Sequence, residues 1–319
     1  MPKVSILVPC CNVEKYVEEC LLSIKNQTLR DIEVICINDG SRDSTLDLIK
    51  KCTDGDNRFV VIDKPNSGYG DSMNLGLSMA QGEYIGIVES DDFVEPNMFE
   101  LLYTKATEFD LDVSRTCYFN FYNGKDKAER FPSIPKNQVF CPKDCTEIFF
   151  QLPSIWAAIY RADWLKASGI NFLPTPGASY QDTSFAFKTK LMAERYMILD
   201  EYLLHYRQHD GNSVKSSKNV FSVCDEYAEC VRFAKEKNLS DVAESIIYEL
   251  QYKTYKWNYL RLDVDAAAKF YERWVNDWRI LQANGFSTKS WSFVTRMYFK
   301  MITDYPSVFE LYLKHKRKY

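Results

Sequence analysis

Short β-branched runs alternate with stretches of helical period over the first 118 residues: VSILVP (4–9), EVICIN (33–38), FVVID (59–63), YIGIVE (84–89) and DVSRTCYF (112–119). Apolar runs of this length read as strands of a buried sheet. Between the first two, Tyr16, Val17, Cys20, Leu21 and Ile24 follow the 3.6-residue period, with Asn12 placed to cap the helix. Strands separated by helices predict an α/β domain with a mainly parallel sheet flanked by helices. From about 120 to 215 the alternation gives way to Pro-punctuated loops, short helices and a strand over YLLHYRQ (202–208). Beyond about 218 the pattern is helical, with Asp263 or Asp265 as a start signal and Asn284-Gly285 as a stop. The pattern therefore predicts one domain over 1–215, changing character at 118/119, and a C-terminal helical domain over 216–319.

Composition adds little to this division. Of 319 residues, 46% are hydrophobic and 26% charged, as in an ordinary globular chain. The net charge of −4 gives no reason to expect nucleic acid. Charge is uneven, however: residues 288–319 hold seven Lys or Arg against two acids, ending in YLKHKRKY. Ten Cys without a CxxC pair or a secretory leader predict free thiols in a reducing cytosol. No apolar run is long enough to span a bilayer, so any membrane contact is expected to be peripheral.

The candidate chemistry lies where YIGIVE ends in ESDD. In an open α/β sheet the strand C-termini face the ligand crevice. Glu89 and Asp91 are two apart, so an extended chain points them the same way. Carboxylates facing one site resist joint ionisation without a cation, and hard divalent ions take oxygen ligands, often with substrate phosphates. The bland alternative is a solvated acidic cap before a helix. Asp39 precedes Gly40 after a strand and can accept from a base N–H or a ribose hydroxyl, or serve only as a turn residue. In NSGYGDSMN, Gly68 and Gly70 allow close backbone approach to phosphate. Neither GxGxxG nor GxxxxGK[ST] is present there, which removes dehydrogenase and P-loop readings.

Four segments, VSILVPCCN, INDGSRDST, MNLGLSMAQGEYIGIVESDD and SYQDTSF, occur in the order and spacing of glycosyltransferase family 2, and residues 3–210 resemble that family. The resemblance implies a GT-A-type fold, with a nucleotide-binding half over 1–118 and an acceptor half over 119–215. It also implies an inverting enzyme that uses a nucleotide-diphosphate sugar, here a UDP-sugar, with Mn²⁺ or Mg²⁺. On this basis Pro9, Cys10, Cys11, Asn12, Glu14, Asp39, Asn66, Gly68, Asn74, Glu89, Ser90 and Asp92 would line the donor site. Asp91 would hold the metal and Asp182 would be the base; His209, from its position after the second half of the site, is a further candidate metal ligand or diphosphate contact. Trp156 and Gln181 would face the acceptor, a glycan or lipid-linked hydroxyl in cell-surface polysaccharide synthesis.

Four positions depart from the family pattern. Cys11 stands where a base-stacking aromatic is usual, Met73 replaces a common Arg, Gln181 a Glu, and Glu89 the first Asp of the acidic motif. They motivate an alternative, a nucleotide-sugar-binding protein of attenuated activity. A sugar nucleotidyltransferase fits less well, because PCCN replaces the glycine-rich loop expected there. In the tail, Phe293, Val294, Met297, Tyr298, Met301 and Ile302 recur at helical spacing before the basic end. Such a stripe is either core or a surface that lies on an anionic membrane, at its cytoplasmic face.

Overall fold

The computed structural model describes residues 1–209, 220–289 and 291–317. Two compact units divide the chain, Met1–Asp210 and Gly211–Tyr319. The expected 215/216 boundary falls outside the described residues.

In the first unit the elements run β1 (Val4–Cys10), α1 (Val17–Lys25), β2 (Ile32–Asp39), α2 (Thr45–Thr53), β3 (Phe59–Lys64), α3 (Tyr69–Met79), β4 (Tyr84–Ile87), β5 (Phe93–Val94) and α4 (Met98–Glu108). There follow β6 (Val113–Tyr122), β7 (Lys125–Ala128), three 3-10 turns over 142–157, β8 (Ala158–Arg161), α5 (Ala162–Ala167), α6 (Gln181–Met192) and β9 (Tyr196–Arg207). All nine strands form one sheet, ordered β3-β2-β1-β4-β8-β6-β9-β5, with β7 paired to β6. The long registers are parallel: β1 with β2 and β4, β2 with β3, and β6 with β9. The short ones, β4 with β8 and β5 with β9 among them, are antiparallel. The sheet is thus mixed but mostly parallel, as expected for the GT-A type.

Period-2 and period-3.6 patterns explain the regular part. VSILVPC is buried along its whole length, as befits a strand with elements on both faces. Helix α3 lies on β1 and β2, its Gly76 seated against Leu7 and Ile37 side chains. Two expectations are corrected. Asn12 does not cap α1: the helix starts at Val17, and Asn12 has left-handed backbone (φ 55°). Strand β4 ends at Ile87, so Glu89 and Asp91 lie beyond it on a turn closed by the Asp92 N–H on the Glu89 carbonyl (3.0 Å). Strand β6 runs through 118/119 and pairs with β8 and β9, so the two expected halves share one sheet.

The second unit comprises α7 (Ser222–Glu236), α8 (Ser240–Arg261), α9 (Val264–Ala283), α10 (Phe293–Asp304) and α11 (Pro306–Arg317). Asp263 caps α9 through the Ala266 N–H (2.8 Å), and the helix stops at Asn284-Gly285. Its core is aromatic, built around Trp274, Trp278, Tyr255 and Phe270. The tail stripe splits between two faces. Phe299, Ile302, Phe309 and Leu313 are buried, whereas Phe293 (75% exposed), Val294, Met297, Val308 and Leu311 face outward. Among the described residues no helix is long and apolar enough to cross a membrane.

Candidate active site

Strands β1, β2 and β4 run parallel, so the residues after them meet at one edge of the sheet. Asp39 closes β2. Its Oδ1 accepts from Lys64 Nζ and the Ser67 N–H (2.9 Å), and its Oδ2 from the Gly68 N–H (3.0 Å). Burial alone would raise its pKa, but these donors outweigh burial and hold the carboxyl below its usual range. Asn66 Nδ2 donates to the Asp39 carbonyl (2.7 Å) and approaches Cys11 Sγ (3.5 Å). Pro9 and Cys10 end β1, where the Cys10 thiol is buried and pushed well above its usual pKa, first by burial and then by Cys36. Asn12 receives the Arg42 N–H (2.8 Å), and Glu14 the Ser44 N–H (3.0 Å). The loop after β1 is therefore tied to the loop after β2, with Asp39 between them.

The glycines of NSGYG serve a different contact from the one expected. Gly68 has φ +100°, and a Cβ there would come within 2.9 Å of the Thr175 carbonyl oxygen. A Cβ on Gly70 would overlap the Leu173 carbonyl. Their close approach is to the chain's own 173–177 segment, not to an open phosphate cradle. Asn74 belongs to the same seam: its Nδ2 donates to the Phe172 carbonyl (2.9 Å) and its Oδ1 accepts the Phe172 N–H (2.8 Å). This seam fixes the segment that leads into α6 and Asp182.

The acidic turn is strained electrostatically. Glu89 is partly exposed and accepts from the Tyr69 hydroxyl (2.6 Å). Burial, followed by the charges of Asp91 and Asp182, pushes its pKa up to about 8 against the opposing Tyr69 bond. Asp91 Oδ2 lies 2.9 Å from His209 Nε2, and that imidazole stacks on Tyr16 (4.7 Å). Ser90 is buried beneath the turn. Asp92, also buried, accepts the Arg207 N–H on Oδ1 (2.8 Å), while its Oδ2 has no partner among the described residues. Burial, then Asp91, drives the Asp92 pKa well up. Its carboxyl is thus enclosed by the protein beneath the turn. Arg207 Nε holds the Asp91 carbonyl (2.7 Å), so the end of β9 grips the turn twice.

Asp182 is the second residue of α6, after Tyr180 in left-handed conformation (φ 68°), and is not the helix cap. It is partly exposed, and burial raises its pKa to about 6 against the N–H groups of Thr183 and its own residue. The charges of Asp91 and Asp182 both bear on Glu89. Gln181 does not face an acceptor: it is buried, and its Nε2 donates to Thr175 Oγ1 (2.9 Å), so it braces its own loop. Trp156 is buried too, stacked at 4.7 Å on Tyr206, and packs as core beside the site. His205 bonds Asp126 and Glu95 (2.8 and 3.0 Å) and is structural. Met73 is fully buried, so no cation replaces the absent Arg at that position.

Sequence reasoning missed Tyr69, Arg207 and Tyr206. Tyr69 stands between the two glycines it was passed over for, and Arg207 two residues before His209. Tyr206 has no motif, although charges from Asp92, Asp182 and Asp91 help burial to raise its pKa to about 12. Among the described residues no three His, Cys, Asp or Glu are grouped to hold a metal by themselves.

Comparison with known proteins bears on the family and the fold. The family profile described as Glycosyl transferase family 2 matches residues 5–164. The putative glycosyltransferase EpsH of Bacillus subtilis is 34% identical over 221 residues, 67% of this chain and 63% of EpsH. The uncharacterized glycosyltransferase EpsJ of the same organism is 32% identical over 218 residues, 66% of this chain and 63% of EpsJ. The chain thus covers less than two thirds of the length of these relatives. Residues 1–349 of S. aureus TarS in complex with UDP-GlcNAc superpose with a TM-score of 0.68 at 21% identity, covering 87% of this chain and 81% of that one.

Proposed function

The chain belongs to glycosyltransferase family 2, and from that premise we propose that it transfers a sugar, with inversion, from a UDP-sugar to a hydroxyl of a glycan or lipid-linked acceptor in cell-surface polysaccharide synthesis. The observation that carries this reading is that Tyr69 joins the acidic turn, through Glu89, to Phe172 and Phe185 of the segment and helix that bear Asp182, so that the charges of Asp91 and Asp182 both bear on Glu89. The nucleotide lies along Asp39, Asn66 and the loop after β1. The UDP-GlcNAc complex of TarS, which has the same fold, supports a uridine nucleotide. Asp182 takes the proton of the acceptor hydroxyl as that oxygen attacks the anomeric carbon, a role that contributes about 10²–10⁴-fold.

Asp91, with His209 beside it, suits an ion that takes its remaining ligands from diphosphate and water. Bound Mn²⁺ or Mg²⁺ would neutralise charge growing on the departing diphosphate. Purified protein incubated with UDP-sugars, Mn²⁺ and acceptor oligosaccharides should release UDP in proportion to glycosylated product. Tight donor binding without turnover would favour the attenuated binding protein, a reading supported by buried Met73 in place of the usual Arg.

We also propose that α10 and α11 rest on an anionic membrane. Phe293, Val294, Met297, Val308 and Leu311 are exposed apolar residues, accompanied by Arg296, Lys300, Lys314 and Lys316. Each basic residue near such a surface is worth about 1 kcal/mol. Phosphatidylglycerol vesicles should therefore bind the protein, and Phe293→Ser with Val294→Ser should weaken that binding. Equal binding to neutral phosphatidylcholine vesicles would overturn the idea.

A further inference from the structure

Tyr69 links the acidic turn to the segment that leads into α6, yet has no role in the reading above. Tyr69 opens α3, where its hydroxyl donates to Glu89 Oε1 (2.6 Å) and its N–H to the Gly177 carbonyl (2.9 Å). Its ring meets Phe172 edge-on at 5.8 Å, and Phe172 lies flat on Phe185 at 4.1 Å, three residues beyond Asp182. The residue is partly exposed, and the charges of Glu89 and then Asp182 both bear on its hydroxyl. It therefore borders the gap between the acidic turn, which its hydroxyl bonds, and α6, which its ring reaches through Phe172 and Phe185.

That gap has a defined occupant if the proposed function holds, on which this step rests. When a diphosphate sits at Asp91 and the acceptor proton goes to Asp182, the anomeric carbon must lie between them. The sugar ring comes with it. We propose that Tyr69 determines specificity in the donor-sugar subsite. Its proton is committed to Glu89, so its oxygen offers lone pairs to a hydroxyl of the transferred sugar. The Phe172 contact and the Gly177 bond keep that oxygen at a fixed height above the turn.

The test separates sugar from nucleotide. Tyr69→Phe removes one oxygen and keeps the ring on Phe172, and a thermal melt checks that the variant is folded. Calorimetric titrations in Mn²⁺ compare UDP with UDP-GlcNAc, UDP-glucose and UDP-galactose, taking the donor that the wild type binds most tightly. The expected result is a loss of about 5–15-fold for that donor, the range of one hydrogen bond, with UDP unchanged within about twofold. An equal loss for UDP and the sugar nucleotide would make Tyr69 a loop brace and overturn the subsite, as would no loss for either. A wild type that binds none of these nucleotides would overturn the proposed function and the subsite together.

Discussion

Two groups of carboxylates stand at the same edge of one sheet, and they are treated in opposite ways. Asp39 is nearly buried yet carries a full set of donors, Lys64 with the Ser67 and Gly68 N–H groups, which keep it ionised. Glu89, Asp91 and Asp92 each have one such partner among the described residues, and at Glu89, Asp92 and Asp182 burial outweighs the donors, so their pKa values are driven upward. A carboxylate satisfied by its own chain is finished structure, whereas carboxylates that repel one another store a cost that an incoming ligand can relieve. The first group shapes the site, and the second is available for chemistry.

Breaking the second group should have the larger effects. Asp182→Asn keeps size and polarity but takes no proton at neutral pH, so transfer should fall by about 10²–10⁴-fold, or about 3–5.5 kcal/mol of barrier, while donor binding persists. The wild-type rate should drop about tenfold per pH unit below about 6, where Asp182 becomes protonated, and that limb should be absent from the residual rate of the variant. Near-normal transfer by a folded Asp182→Asn protein would remove it as base. Asp91→Asn should instead abolish the tightening of UDP by Mn²⁺, measured calorimetrically with and without the ion. Undiminished metal dependence would return the turn to a solvated acidic cap.

Much of this contrast was legible in the chain. Strand and helix periods locate the edge of the sheet, and ESDD marks where charge collects on it. Periodicity could not reveal how each carboxylate is partnered, because the partners come from distant segments: Lys64 and Gly68 for Asp39, Arg207 for Asp92, His209 for Asp91. For the same reason Gly68 and Gly70 read as a phosphate cradle. Only the folded chain brings Leu173 and Thr175 against them. The irregular half was the least legible, since β8 has four residues and gains its order from pairing with β4 and β6.

The smallest expected effects are on stability, and they should have opposite signs in the two groups. Asp39 has a folded pKa below its ordinary 3.8, so ionisation favours the native state above that value, and this contribution is lost as pH falls through the lowered pKa. Asp39→Asn should therefore melt lower than wild type at neutral pH, by about 1–3 kcal/mol for donors left unmatched, with the gap narrowing in acid. Glu89 runs the other way. With a folded pKa of about 8 against an ordinary 4.5, the native state holds the proton more tightly, so stability is fully present below 4.5 and declines as pH rises through 8. Glu89→Gln retains a partner for the Tyr69 hydroxyl and removes the titration. It should melt higher than wild type at pH 8, by something on the order of 1 kcal/mol given the partial exposure of the group, and match it near pH 4.5. Melting curves for both variants across that range decide the matter: parallel shifts of one sign would mean that the two groups of carboxylates do not differ as their hydrogen bonds imply.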